Sequence, residues 1–348
     1  MLLEKLCNAD GVSGCEREVR ELIKEEAAPF ADDIITDSMG NLLVLKKGIK
    51  HDKTVMLSAH MDEVGFIISG ITKEGYLEFK SVGGIDTRVI ISKKVRIGKD
   101  RIKGIIGIKA VHLTTRDERD KVPKESELFI DIGAKDMEDA KKYIKLGDYA
   151  AFDTEFELLG ENSIKAKAID DRVGCYILCK LMKEKVEYDT WFCFCTQEEV
   201  GLRGARIAAY RIKPDIALVI EGTTCCDVPG ADKHEYVTEM NGGAAISFMD
   251  RTTIVNKKYC DWLMELAEKK GINAQYKKMA SGGNDAGVIH LSETGVLCAS
   301  VSVPCRYIHS PASVASLKDI EAVSKLCSAV MENINDIINV SFTITVRR

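Results

Sequence analysis

Five short segments of the chain carry acids or imidazoles that could act together: His60-Met-Asp62, Ala168-Ile-Asp-Asp-Arg172, Glu198-Glu199, Glu221 and His309. Adjacent carboxylates repel each other unless a cation, a proton or solvent offsets the charge. Two acidic doublets and a lone glutamate therefore point to cations. The donors are oxygen and imidazole nitrogen without sulfur. That set suits zinc, cobalt or manganese better than an all-oxygen calcium site. Two such ions about 3.5–4 Å apart would activate a water and polarise a carbonyl together. Taken singly, each piece has an ordinary explanation. His60 and Asp62 could pair by chance, Glu198-Glu199 could be a solvated face, Asp170-Asp171 could open a helix, and His309 could lie on the surface. Their joint placement at strand ends argues for one shared site.

The elements that must position them are legible from the hydrophobic pattern. Thr54 to Ala59 reads as a short buried strand running straight into His60. Thr190–Cys195 is a strand ahead of Glu198, Ile216–Ile220 a strand ending at Glu221, and Val296–Val303 a strand ahead of His309. In open α/β sheets, ligand sites gather beyond the carboxyl ends of the strands. Val173–Lys183 is a helix, and its dipole favours acids such as Asp170 and Asp171 just before its start. Helices over Arg203–Tyr210, Lys257–Lys270 and Leu317–Ile337, with strands over Gly243–Phe248 and Ser341–Val346, continue the alternation. The pattern predicts an α/β fold with a mostly parallel sheet sandwiched by helices.

Near the N-terminus, Ser13-Gly-Cys-Glu16 reads as a capping box opening a helix to about Ala28, with Val19, Leu22 and Ile23 inward. Asp37-Ser-Met-Gly-Asn41 reads as a turn between two strands. The character changes from Gly65 to about Glu161. Short strand-like pieces such as Val95–Ile97, Ile102–Ile108 and Leu128–Ile132 alternate with frequent glycine, and only Met137–Lys145 looks helical. This predicts a small inserted β-barrel-like domain. The expected division is a discontinuous catalytic domain of residues 1–66 and 163–348 around an insert of residues 67–162.

The 348 residues suit about two domains. With 45% hydrophobic and 30% charged residues, the balance is that of a soluble globular enzyme. A net charge of -5 gives no broad basic surface, which disfavours nucleic acid as a partner. Several of the 12 cysteines fall inside apolar runs such as Trp191-Phe-Cys-Phe-Cys195 and read as core residues. No pair of CxxC motifs suggests a structural zinc knuckle. The start Met1-Leu-Leu-Glu-Lys5 has no apolar signal region, and no stretch approaches the roughly 18 apolar residues of a membrane span. A reducing cytoplasm is the expected location.

At this point a resemblance becomes specific. The chain is similar to the TET or deblocking aminopeptidases, cytoplasmic co-catalytic metallopeptidases related to the glutamyl aminopeptidases. The matching segments are Gly11-Val-Ser-Gly14 with Glu16, Ser58-Ala-His-Met-Asp-Glu-Val-Gly65, Val82-Gly-Gly-Ile-Asp-Thr-Arg88 and Gly104-Ile-Ile-Gly107. They continue with Lys167-Ala-Ile-Asp-Asp-Arg-Val-Gly174, Thr196-Gln-Glu-Glu-Val-Gly-Leu-Arg-Gly204, Glu221-Gly-Thr, Ser281-Gly-Gly-Asn-Asp-Ala286 and Pro304-Cys-Arg-Tyr-Ile-His-Ser-Pro311. Together they span nearly the whole chain.

The resemblance implies two divalent ions per subunit, zinc first, with cobalt and manganese as alternatives. It implies that His60 and Glu221 hold one ion, that Glu199 and His309 hold the other, and that Asp170 bridges them. Where this chain has Glu221, many similar proteins have aspartate. Glu198 becomes the general base, and Asp62 orients His60 from behind, as is common for metal-bound imidazole. The Asp170–Asp171 peptide is cis in similar enzymes and is expected cis here. The implied activity is removal of N-terminal residues from peptide substrates. The implied assembly is a homo-oligomer of dimers forming a dodecamer, with the insert making contacts.

Some relatives have been labelled endoglucanases, so a glycoside hydrolase is the competing reading. Two histidines and a full metal set, with only 2 tryptophans, argue against it. A non-catalytic metal-binding assembly protein is the third reading, and the second glutamate of the doublet argues against that. Asp285 is balanced between shaping the site and an Asx turn. Cys225 and Cys226 are read as packing residues, His112 as a residue that could reach a neighbouring subunit's site, and His51, His234 and His290 as structural or surface groups.

Overall fold

The computed structural model describes residues 1–278 and 282–338. The expected last strand, Ser341–Val346, and Ser281 lie outside the described residues. Eleven described strands form the main sheet. Its path runs Asp33–Thr36, Leu42–Lys46, Tyr188–Cys195, Lys50–His60, Ile216–Thr224, Leu297–Arg306, Ser313–Ser316, Ser163–Ala166 and Glu157–Leu159. Ala244–Ser247 and Ala274–Lys277 branch from Leu297–Arg306.

The four central strands, Tyr188–Cys195, Lys50–His60, Ile216–Thr224 and Leu297–Arg306, are parallel, and antiparallel strands extend them on both sides. Parallel strands are covered on both faces, and these four are near-continuous apolar runs for that reason. Alternation along Ile216–Thr224 makes the point. Ile216, Leu218 and Ile220 enter the larger core, with the helices Leu2–Asn8, Arg17–Ala27, Ile169–Leu181, Lys257–Lys269 and Leu317–Glu332. Ala217 and Val219 enter the smaller core on the opposite face, under the helices Arg203–Ile212 and Ala286–Ile289. Register then sets the site: Cys195 pairs with His60, and Glu221 pairs with Ser302. The carboxyl ends at Cys195 and His60 finish side by side, next to the strand that carries Glu221.

The inserted piece is a closed six-stranded antiparallel barrel. Its strands are Gly65–Ile71, Leu77–Val82, Leu128–Asp131, Ile102–Ile108, Lys94–Ile97 and Tyr149–Phe152. It has its own core, in which Phe66 meets Phe79 and Phe152 edge-on at 4.9 and 5.3 Å.

Several boundaries differ from expectation. The box at Ser13–Glu16 does not cap the helix Arg17–Ala27, which has no side-chain cap. The Ser13 hydroxyl donates instead to Asp62 Oδ2 at 2.6 Å, and Glu16 accepts from the Gly14 and Gln197 backbone N–H groups. The helix at Met137 ends at Ala140. The long C-terminal helix stops at Glu332 and is followed by a separate turn, Asn335–Ile338. Glu157–Leu159, placed in the insert by its sequence, pairs with Ser163–Ala166 in the main sheet.

Candidate metal centre

His60 is the last residue of its strand. Its backbone N–H donates to Asp171 Oδ2 at 3.0 Å, and its carbonyl accepts from the Cys175 thiol at 3.1 Å. The ring Nδ1 lies 3.2 Å from the Asp62 carbonyl and 3.5 Å from Asp62 Oδ1. Nε2 therefore faces the cavity. Asp62 is fully buried and does more than back up the imidazole. Its two oxygens accept the backbone N–H groups of Glu198 and Glu199 at 2.9 and 3.1 Å. The Glu doublet is thus anchored by its backbone, leaving both side chains free.

The Asp170–Asp171 peptide is cis, as expected. The two neighbours point to different tasks. Asp171 binds backbone, accepting from His60 N and from Gly174 N at 3.0 Å. Asp170 faces the cavity, with Oδ1 3.3 Å from His60 Nε2 and Oδ2 3.8 Å from His309 Nε2. It stands between the two imidazoles. Space for it is made by Gly222, where a Cβ would come within 2.9 Å of the Asp170 Cβ. His309 follows the strand Leu297–Arg306 with a positive φ of 56° and has a side chain 38% exposed. Its Nε2 lies 3.1 Å from Glu199 Oε2.

Two groups of donor atoms each fall within 4.8 Å of one another: His60, Glu198 and Glu199, and Asp170, Glu199 and His309. The second contains the Glu199–His309 pair together with Asp170, the expected bridge. The first has Glu198 beside His60, where Glu221 was expected. Glu221 lies inside the strand Ile216–Thr224 rather than at its end. Its Oε1 accepts from Asn284 Nδ2 at 2.8 Å and from the Ser302 hydroxyl at 3.2 Å. It still lines the same cavity of about 950 Å³ with His60, Asp170, Glu198, Glu199 and His309.

Charge at this centre is out of balance. Burial pushes Glu198 well above the ordinary glutamate range, raises Glu199, and lifts Glu221 to about 7. Burial opposes charge on both imidazoles, but Glu198, Asp170 and Asp62 hold His60 well above its usual value, and Glu199 holds His309 up at about 9. Only Asp62 runs the other way: burial raises it, and His60 and Ser13 more than offset that. Carboxylates driven to take up protons in a shared cavity are the chemistry expected where cations normally supply the positive charge. The donor set fits divalent ions.

Ser13 reads as a helix cap and Asn284 as part of a loop, and their roles with Ser302 in steering Asp62 and Glu221 carry no local signal in the sequence. Nor does the buried network of Glu63, Lys167 and Arg172. Lys167 Nζ donates to Glu63 Oε1 and Oε2 at 2.6 and 2.8 Å and to the Ala9 carbonyl at 2.7 Å. Arg172 donates to Glu63 Oε1 and, through Nε, to the Met61 carbonyl at 2.9 Å. Cys225 is buried against Thr238, and neither it nor Cys226 joins a donor group. His112 is exposed on the barrel segment, away from the cavity lining. His51 and His234 are exposed, and His290 binds the Ala286 carbonyl.

Two imidazoles and a set of hard oxygen donors, at the carboxyl ends of parallel strands, define an α/β metallohydrolase. Comparison with known proteins narrows this. Residues 40–326 match the family described as M42 glutamyl aminopeptidase. The lysyl aminopeptidase of Pyrococcus furiosus is 30% identical, covering 96% of each chain. An aminopeptidase structure from Desulfurococcus kamchatkensis is 37% identical with a TM-score of 0.95, covering 99% of this chain and 98% of that one. A Pyrococcus horikoshii TET1 peptidase, which assembles into a tetrahedron or a large octahedral shell, is 32% identical with a TM-score of 0.84 over 95% of this chain and 99% of that one. A Thermotoga maritima structure described as an endoglucanase is 33% identical with a TM-score of 0.81 over 97% of this chain and 99% of that one. The chain belongs to the M42 glutamyl aminopeptidase family. It is a metallo-aminopeptidase, a hydrolase acting on peptide bonds.

Proposed function

We propose that this chain removes N-terminal residues from peptides at a centre of two divalent ions, zinc in the first instance. His60 and Glu221 would hold one ion and Glu199 and His309 the other, with Asp170 shared between them. The observation that carries the reading is Asp170, whose two oxygens face Nε2 of His60 and Nε2 of His309. When bound, the ions polarise the scissile carbonyl and lower the pKa of the attacking water. Glu198 takes the proton of that water and delivers it to the leaving amine. Its carboxylate lies 3.9 Å from His60 Nε2, beside the centre, while its backbone is fixed by Asp62. Asp62 also sets the ring of His60. Asp171 binds His60 and Gly174 backbone and holds no ion.

The cavity walls favour an acidic N-terminal residue. Lys277 is 5% exposed, lines the cavity, and makes no ion pair or hydrogen bond among the described residues. Arg206 lines the same cavity. Two cations lining one cavity suit a glutamyl or aspartyl side chain and disfavour a lysyl one. The barrel and its neighbouring segments, residues 67–162, act as the assembly domain on a catalytic domain of residues 1–66 and 163–348. Dimers join into a dodecamer, in line with a TET1 structure that is a dodecamer. The 12 free thiols suit a reducing cytoplasm. No helix among the described residues is long and apolar enough to cross a membrane.

The test is Glu198→Gln, assayed on aminoacyl chromogenic substrates beside release of reducing sugar from cellulose. Peptidase activity should fall by about 10²-fold or more, with no sugar release from either protein. Undiminished peptidase activity sinks the mechanism. Sugar release by the wild type would restore the glycosidase reading.

A further inference from the structure

Asp285 is 1% exposed and opens the short helix Ala286–Ile289, on the sheet face that carries Ala217, Val219 and Cys298. Neither of its carboxylate oxygens has a hydrogen-bond partner among the described residues. No Lys or Arg there pairs with it. The neighbouring Asn284 cannot help, because its amide N–H serves Glu221 and its oxygen accepts from Ala286 N. Buried carboxylates are almost always paired or hydrogen-bonded, and an orphan disfavours the folded chain strongly.

Asp285 is next in the chain to Asn284, whose amide binds Glu221 at 2.8 Å, and so lies close to the centre, with the buried Cys193, Cys195 and Cys298 also near it. The charges it feels most are those of His60, Asp62 and Glu221, and its own charge acts on Glu198. Yet its oxygens belong to neither group of donor atoms that could close on an ion. Unlike Glu221, it does not line the cavity, so it stands behind the centre rather than among the donors that face it. In a buried, low-dielectric setting, a charge attracts a divalent ion over distances well beyond contact.

We propose that Asp285 is an outer counter-charge of the metal pair: it ligates no ion, and its buried negative charge strengthens ion binding at the expense of the ion-free chain. The inference rests on the metal centre proposed above. It makes two predictions of opposite sign for one substitution. Asp285→Asn keeps the shape, removes the charge, and breaks no side-chain hydrogen bond among the described residues. Removing the charge therefore relieves the ion-free chain and weakens the ion-bound one. A carboxylate serving only structure would move both states the same way.

The experiment uses the full chain, stripped with a chelator, as wild type and as Asp285→Asn. Thermal unfolding of each stripped protein is measured, then cobalt(II) is titrated by absorption and by calorimetry. The stripped variant should melt at or above the wild-type temperature. Its cobalt affinity should fall roughly 10- to 100-fold, the range seen when groups behind a metal ligand are removed. A stripped variant that melts lower or fails to fold overturns the proposal, since no stabilising bond was available to lose. Cobalt affinity within twofold of wild type overturns it too, as expected if Asp285 is a neutral acid. A wild-type chain that takes up no cobalt refutes the metal centre itself, a different result from an unchanged variant.

Discussion

Replacing Lys167 by Met should loosen the floor of the centre without touching a proposed ligand. The Lys167 ammonium is buried and makes three hydrogen bonds, two to Glu63 and one to the Ala9 carbonyl. Burial pushes Glu63 up, but Lys167 and Arg172 outweigh it and leave the carboxyl below its ordinary value. The substitution leaves Glu63 with Arg172 Nη2 at 3.0 Å and the Gly11 N–H at 2.9 Å. Breaking a buried pair by removing one partner costs about 3–5 kcal/mol. The surviving arginine places this case near the lower end, about 3 kcal/mol. Urea unfolding followed by tryptophan fluorescence reads the right region, because Trp191 and Trp262 both lie in elements of the main-sheet unit. The companion variant Lys167→Met with Glu63→Gln removes the stranded charge and should recover part of the loss, as a coupled pair does. A loss below about 1 kcal/mol for the single variant would refute the reasoning, since that is the range of an exposed pair. A double variant whose loss equals the sum of the two single losses would also refute it.

Lys277→Met should lower kcat/KM for glutamyl relative to leucyl substrates by about 10- to 100-fold, the loss of one charge-assisted hydrogen bond of roughly 1.5–3 kcal/mol. An unchanged ratio across an aminoacyl panel would remove Lys277 from the specificity argument. Acid should act through Glu63, whose folded-state pKa lies below its ordinary value of 4.5. Its contribution is complete above the unfolded value and is lost as the pH falls through the lowered folded value. Urea midpoints for wild type and Glu63→Gln should therefore draw together progressively as the pH falls below 4.5 and stay apart at neutral pH. A constant separation across that range would show that Glu63 is not the group responsible.

Much of this molecule could be read in its sequence because the four central strands are buried on both faces and announce themselves as apolar runs. Thr54–Ala59 and Thr190–Cys195 sit inside the observed strands Lys50–His60 and Tyr188–Cys195. The barrel showed through glycine frequency and short alternating pieces, and it does close. What failed was local grammar with a tertiary answer. Ser13 and Glu16 have the spacing of a capping box, but the stronger partners for them are Asp62 and the backbone at Gln197, some fifty to two hundred residues away in the chain. Leu158 and Leu159 look like another barrel strand, and only the pairing with Ile164 and Ser163 assigns them to the main sheet. Glu221 reads as the end of its strand because an acid usually ends an apolar run. Here Asn284 and Ser302 satisfy its Oε1 inside the strand.

Each acidic doublet divides its labour by a different device. At Asp170-Asp171 the backbone turns one side chain into the cavity and the other onto the main chain of His60 and Gly174. At Glu198-Glu199 both side chains face the cavity, and the structural work falls to Asp62, which takes both backbone N–H groups. Asp62 can do this because Ser13 and His60 keep its carboxyl charged despite full burial. A centre whose cavity-facing glutamates are driven to hold protons thus stands on two acids, Asp62 and Asp171, whose oxygens accept from backbone N–H groups. Fixing the main chain through them leaves Glu198 free to change protonation without moving Glu199. Separate variants should show the difference: Asp62→Asn should disturb both glutamates together, whereas Glu198→Gln should leave ion binding by Glu199 and His309 in place.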